Sequence, residues 1–296
     1  MTPGDDGMRQ IDVRGRGGLR LRATVLGEPG SPPVLLFHGG GQTRHSWGTT
    51  AKALADQGWI AYTVDLRGHG ESEWAPDGDY SLDAFAGDVI AVAQQFDSPP
   101  ALVGASLGGV SSLVAVGEHD EGLARALVMV DVAPRIEQAG AERIGAFMKA
   151  RLDEGYGSMD EVADAIAEYN PHRPRPTDLS GLRKNLRQRE DGRWTWHWDP
   201  RFMTWREEGD LPRGTGLVDR DRLSSAARRV TIPTLLVRGK VSDLLSEEGA
   251  RELLALIPHA EFADVEGAGH MVAGDRNDLF NDAVTSFLAR VPPPSG

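Results

Sequence analysis

The chain has no cysteine among its 296 residues. Disulfides, thiolate nucleophiles and cysteine-ligated metals are therefore excluded. It also lacks any apolar run approaching the roughly 18 residues that a membrane-spanning helix needs. Met1 to Gly7 show neither a basic start nor an apolar stretch, so no secretory leader is read there and a cytoplasmic protein is expected. Positive charge is in deficit: 32 Lys and Arg face 44 Asp and Glu, a formal net charge of −12. That balance argues against nucleic acid or an anionic membrane as a partner. A small molecule remains the expected partner, of a monomer or homodimer. No internal repeat is visible.

What the chain does contain is an alternation of two periods. Short apolar runs at 33–37, 59–64, 101–103, 126–130 and 234–237 are rich in Val and Leu and show no polar alternation, as expected of strands buried on both faces. Amphipathic stretches at 81–96, 107–119, 246–256 and 277–290 separate or follow them. Ser81 and Ser246 stand where N-caps belong, each with acidic residues in the following turn. Strand followed by helix, repeated, implies a parallel sheet with right-handed crossovers and helices on both faces. The alternating pair at 9–13 and 19–26 suits an antiparallel hairpin at the sheet edge. The rhythm stops after Val130 and resumes at Val230. Between them lie helical patterns (141–152, 159–169), a proline-rich loop (170–176) and four of the seven tryptophans, Trp194, Trp196, Trp198 and Trp205. This reads as a cap, 132–229, inserted into a core domain formed by 1–131 and 230–296.

Gly104-Ala105-Ser106-Leu107-Gly108 fits a nucleophile elbow, Gly-x-Ser-x-Gly, placed between an apolar strand and a helical run. Small neighbours let a strained turn present the serine, and the helix N-terminus offers the Leu107 N–H to a developing oxyanion. His38-Gly39-Gly40-Gly41 directly follows the 33–37 strand. A second oxyanion donor belongs in such a loop, with Gly40 the first choice and Gly41 the alternative. A serine hydroxyl needs a base, and the base needs a carboxylate to orient it. His270, in Gly267-Ala268-Gly269-His270 after the 260–265 strand, is the late histidine that suits the base. Two aspartates end core strands at suitable places: Asp243, the preferred acid, and Asp131, the alternative.

Together with Asp65-Leu-Arg67-Gly-His69-Gly-Glu-Ser72, these motifs resemble the α/β-hydrolase superfamily in order and spacing from about residue 10 to 290. The resemblance implies an α/β-hydrolase fold: an eight-stranded, mostly parallel sheet, helices on both faces, a mainly helical cap and acyl-enzyme chemistry without a cofactor or metal. The 65–72 turn is expected to be scaffold. Epoxide hydrolases and haloalkane dehalogenases of this superfamily use aspartate where this chain has Ser106, which points away from both. Serine points to an activated carbonyl, so hydrolysis of a carboxylic ester or lactone of small to medium apolar character is expected. A C–C bond hydrolase, a perhydrolase and a slow-turnover ligand sensor remain alternatives on the same fold. Trp196 and Trp198, spaced by two, either wall the pocket or form the core of the cap. Trp47, Gly41 and Met271 are further candidates for lining it.

Overall fold

A computed structural model describes residues 7–119, 122–169, 175, 179–204, 219–270 and 277–292. Trp205, Met271 and all of the 170–176 loop except Arg175 lie outside the described residues. The core is one eight-stranded sheet, in the order β1-β2-β4-β3-β5-β6-β9-β10. Its strands are β1 (Arg9–Arg14), β2 (Arg20–Leu26), β3 (Pro33–Phe37), β4 (Ile60–Val64), β5 (Ala101–Ala105), β6 (Ala126–Val130), β9 (Thr234–Gly239) and β10 (Glu261–Val265). β1 and β2 pair antiparallel, β2 joins β4 antiparallel, and the remaining six strands run parallel.

Burial follows the sequence pattern. β3 and β6 are buried at every position, which is what their uninterrupted apolar runs require of strands covered on both faces. β2 alternates half-buried and buried residues, and β1 carries arginine at both ends, as an edge strand does to discourage further pairing. One face of the sheet is covered by α1 (Gly48–Asp56) and α9 (Asn277–Leu288), through Leu54, Phe280, Val284 and Phe287 against Val34, Leu36, Val103 and Val128. The other is covered by α2 (Leu82–Ala93), α3 (Leu107–Glu118), α7 (Arg220–Arg228) and α8 (Glu247–Leu256), over Leu35, Phe37, Leu102, Leu127 and Leu236. Each fully buried Leu or Phe contributes about 1.5–3 kcal/mol. The expected caps are present: Ser81 accepts from Ala84 N–H and Ser246 from Gly249 N–H.

Between β6 and β9 the chain forms α4 (Gln138–Lys149), α5 (Met159–Tyr169), the antiparallel hairpin β7 (Leu186–Gln188) and β8 (Trp194–Trp196), and the short α6 (Arg201–Thr204). Helix α7, expected in the cap, instead packs against α3 and α8 in the core layer. Its buried Leu223, Ala226 and Ala227 are continuous with the sheet's own apolar cluster.

Candidate active site

The C-terminal ends of β3, β5 and β6 lie side by side, and each delivers one part of the site. Ala105 is paired with Val130 in the β5–β6 ladder, so Ser106 and Asp131 each step off the sheet one residue beyond the same rung. Ser106 holds φ 45° and ψ −110°, a left-handed turn costly for a residue with a Cβ. The turn is possible because the residues two positions to either side, Gly104 and Gly108, have no side chains. A Cβ on Gly104 would meet the Gly108 carbonyl oxygen at 2.4 Å, and one on Gly108 would meet that of Phe37 at 2.3 Å. The strand and helix approach too closely for anything larger than glycine at those two positions.

From the neighbouring β3, the 38–41 loop packs against the serine: a Cβ on Gly39 would lie 3.4 Å from that of Ser106. Most of the loop's donors are engaged. Gly39 N–H donates to Gln42 Oε1 at 2.9 Å and Gly41 N–H to His69 Nε2 at 3.1 Å. Gly108 N–H donates to the His38 carbonyl oxygen at 3.2 Å. Among the described residues, Gly40 and Leu107, which starts α3, carry the N–H groups left open beside Ser106. Accounting for the loop's hydrogen bonds thus favours Gly40 over Gly41 as a donor to a bound group.

His270 follows β10 and its loop, half-buried, with Nδ1 at 2.7 Å from Asp131 Oδ2. The carboxylate that meets the histidine is therefore Asp131, and the preference for Asp243 is corrected. Asp131 is fully buried and adopts φ 51°. Its Oδ1 accepts from Gly239 N–H at 3.0 Å, and its Oδ2 accepts from Ser242 Oγ at 2.6 Å as well as from the imidazole. Ser242 Oγ in turn accepts from Leu244 and Leu245 N–H. This fixes the loop after β9 with Ser242 turned inward. The next residue, Asp243, turns outward, where its half-exposed carboxylate pairs with Arg143 of α4 at 2.6 Å. A carboxylate engaged at the surface with Arg143 is turned away from the His270 imidazole.

The 65–72 turn is a scaffold of buried polar bonds. Asp65 accepts from Arg44 N–H at 2.6 Å, from the Arg44 guanidinium and from Glu71 N–H. Arg67 forms two 2.7 Å bonds with buried Asp88. His38, His69 and His197 are all buried. Burial pushes His38 down to about 4, with the Arg44 charge adding to it. Burial, with His38 nearby, takes His69 to about 3. His197 is held well below the ordinary histidine value, again by burial first. All three are neutral at pH 7, with tautomers set by main-chain partners.

The aromatic candidates separate. Trp196 stacks on Trp198 (5.1 Å, 9°) and packs against Phe147 and Tyr156, inside the cap. Trp198 also reaches the glycine loop, where a Cβ on Gly41 would lie 3.3 Å from its ring. Trp47 is not at the site: it is buried in the α1/α9 layer against Phe280, 6.0 Å between centroids. His197 was missed in the sequence. Its signal was its place between two tryptophans of an extended run, which turns it to the opposite side.

Such an assembly on such a sheet defines a hydrolase of the α/β class, and comparison with known proteins bears this out. The chain belongs to the α/β-hydrolase fold family, whose model matches residues 32–276. It is 32% identical to Esterase Rv0045c of Mycobacterium tuberculosis over 266 residues, covering 87% of this chain and 83% of that one. Identity to the 2-(acetamidomethylene)succinate hydrolase of Mesorhizobium japonicum is 28% over 284 residues, 95% and 94% of the two chains. An α/β hydrolase of Novosphingobium aromaticivorans superposes with a TM-score of 0.79 at 25% identity, over 97% of this chain and 100% of that one. Among the described residues no helix is long and apolar enough to cross a membrane.

Proposed function

We propose that the protein is a serine hydrolase of carboxylic esters or lactones that works through an acyl-enzyme on Ser106. His270 takes the Ser106 proton as the oxygen attacks the carbonyl carbon, and Asp131 holds the imidazole tautomer and stabilises its charge. The tetrahedral oxygen is held by the N–H groups of Leu107 and Gly40. His270 then protonates the leaving alkoxide and activates the water that releases the acid. The observation that carries this reading is the strained elbow at Ser106 beside the Asp131–His270 bond, on adjacent strand ends. The esterase among the relatives supports the ester as substrate class.

The test is fluorophosphonate labelling followed by turnover on a panel of p-nitrophenyl esters, lactones and diketones. Wild type is expected to label at Ser106 and to hydrolyse an ester or lactone. Ser106→Ala is expected to do neither while keeping the wild-type thermal midpoint. Hydrolysis retained in Ser106→Ala would sink the mechanism. Cleavage of diketones alone would move the substrate class to C–C bonds.

A further inference from the structure

Three consecutive glycines are a poor way to hold a catalytic N–H, since each samples more backbone conformations than any other residue and ordering each costs about 1–2 kcal/mol. Gly40 must therefore be oriented by its surroundings: Gln42 N–H donates to the Gly39 carbonyl oxygen at 3.1 Å, and three imidazoles add further contacts. His38 Nδ1–H donates to the Gly39 carbonyl oxygen at 2.7 Å, and its Nε2 accepts from Leu66 N–H. Because a peptide unit is planar, fixing the Gly39 oxygen also fixes the direction of the Gly40 N–H in the same plane. The next plane ends at the Gly41 N–H, which donates to His69 Nε2, while His69 Nδ1–H donates to the Arg67 carbonyl oxygen at 2.9 Å. The plane after that begins at the Gly41 carbonyl oxygen. It accepts from His197 Nε2–H at 3.3 Å, and His197 Nδ1 accepts from Gly70 N–H at 2.7 Å. All six ring nitrogens are engaged with main-chain atoms, and the rings stand 5.2 and 5.8 Å apart.

His38 and His69 belong to the core, but His197 comes from the chain that crosses over the sheet. Its flanks anchor it. Asp199 N–H donates to the Gly68 carbonyl oxygen at 2.8 Å, Tyr80 Oη donates to the buried Asp199 carboxylate at 2.5 Å, and Arg187 donates to the Gly70 carbonyl oxygen at 2.7 Å. Trp198 and Met148 close on Gly41 from the same side, at a position whose φ of +75° only glycine adopts readily. Phe202 of α6 lies against Gly40 itself. Gly41 is thus held through its N–H by the core, by way of His69, and through its carbonyl by the cap, by way of His197.

We propose that His197 is a positioning residue for the oxyanion site: its Nε2–H holds the Gly41 carbonyl, so that the docked 197–199 segment restrains the main chain that follows the Gly40 peptide and steadies the Gly40 N–H toward the tetrahedral oxygen. This rests on the serine-hydrolase reading above. The cap then takes part in catalysis through the main chain of the oxyanion loop. A displacement of the donor by about 1 Å is enough to cost on the order of 100-fold in rate.

Two variants separate this role from simple anchoring. His197→Gln keeps a donor near the position of Nε2 and so the Gly41 arm. His197→Asn keeps an acceptor near Nδ1 and so the Gly70 arm that docks the cap. In the full chain, thermal midpoint, kcat and KM for p-nitrophenyl acetate and the fluorophosphonate labelling rate are measured for both. The expected result is a fall of about 10- to 100-fold in kcat and in labelling rate for Asn, with KM within about threefold, and recovery of most of it in Gln. Should the Asn variant not fold, His69→Gln against His69→Asn asks the same question from the other side of the Gly41 peptide. Equal kcat in the Gln and Asn variants, whether unchanged or falling in step with the thermal midpoint, would overturn the proposal. A wild type that neither labels nor hydrolyses overturns the serine-hydrolase reading instead, and this inference with it.

Discussion

At the scale of single residues, the choice between Asp131 and Asp243 turns on partners that no local pattern encodes. Both end core strands, and both are spaced suitably from Ser106 and His270. What separates them is a hydroxyl and an amide brought in by the fold, Ser242 Oγ and Gly239 N–H, which lie 111 and 108 residues from Asp131. Ser106 and His270 were legible as candidates because each sits in a small-residue motif with its structural setting built in. The acid carries no such motif. Asp131→Asn is expected to lower kcat/KM by about 10³- to 10⁴-fold, the usual cost of a wrongly oriented base. Asp243→Asn breaks a half-exposed ion pair with Arg143, worth about 0–1 kcal/mol, and is expected to stay within about threefold of wild type. Steady-state kinetics on one activated ester compare the two, and the opposite ranking would return the acid to Asp243.

At the scale of elements, the core was readable because burial and sequence period agree. Strands such as Pro33–Phe37 and Ala126–Val130 match their apolar runs residue for residue. Helix starts were readable where a serine side chain closes the first turn. Ser81→Ala removes the bond to Ala84 N–H and is expected to destabilise by about 1 kcal/mol. That should lower the thermal midpoint by a few degrees and leave kcat unchanged; calorimetry and a single-substrate assay check both halves. The cap was harder to read. Its hairpin strands are three residues each, too short for a period to declare itself. Helix α7 lies in the same polar stretch of sequence as the cap yet packs on α3, a distinction made only by tertiary contact. The tryptophan spacing marks an extended segment, and His197, between two of the tryptophans, falls on its opposite side, where no apolar pattern singles it out.

At the scale of the molecule, the buried histidines tie stability to pH. His38 and His69 have folded-state values of about 4 and about 3, below the roughly 6.5 of an unfolded chain. The unfolded state therefore binds more protons as pH falls. The stability these groups permit is complete above about pH 6.5 and is lost as pH drops from there toward 4 and then 3. Each costs about 1.4 kcal/mol per pH unit over that window, and His197 acts in the same direction. Denaturant unfolding at pH 5.5 should take up about two to three protons, read from the slope of stability against pH. A flat profile between pH 6.5 and 5 would contradict the neutral cluster.

The position of Asp131 has one more consequence. Ser106 and Asp131 stand just past the C-terminal ends of the adjacent strands β5 and β6, joined through α3, and the chain leaves for the cap only after both are in place. Changes in the length or shape of the crossing segment leave their mutual register untouched, because nothing inserted there lies between them. The cap is in this sense an exchangeable part, which the chain enters only after residue 131. Its replaceability has a limit set by one contact. A foreign segment grafted in its place would inherit an intact serine, acid and histidine, but without a donor where His197 stands it would leave the Gly41 carbonyl unheld.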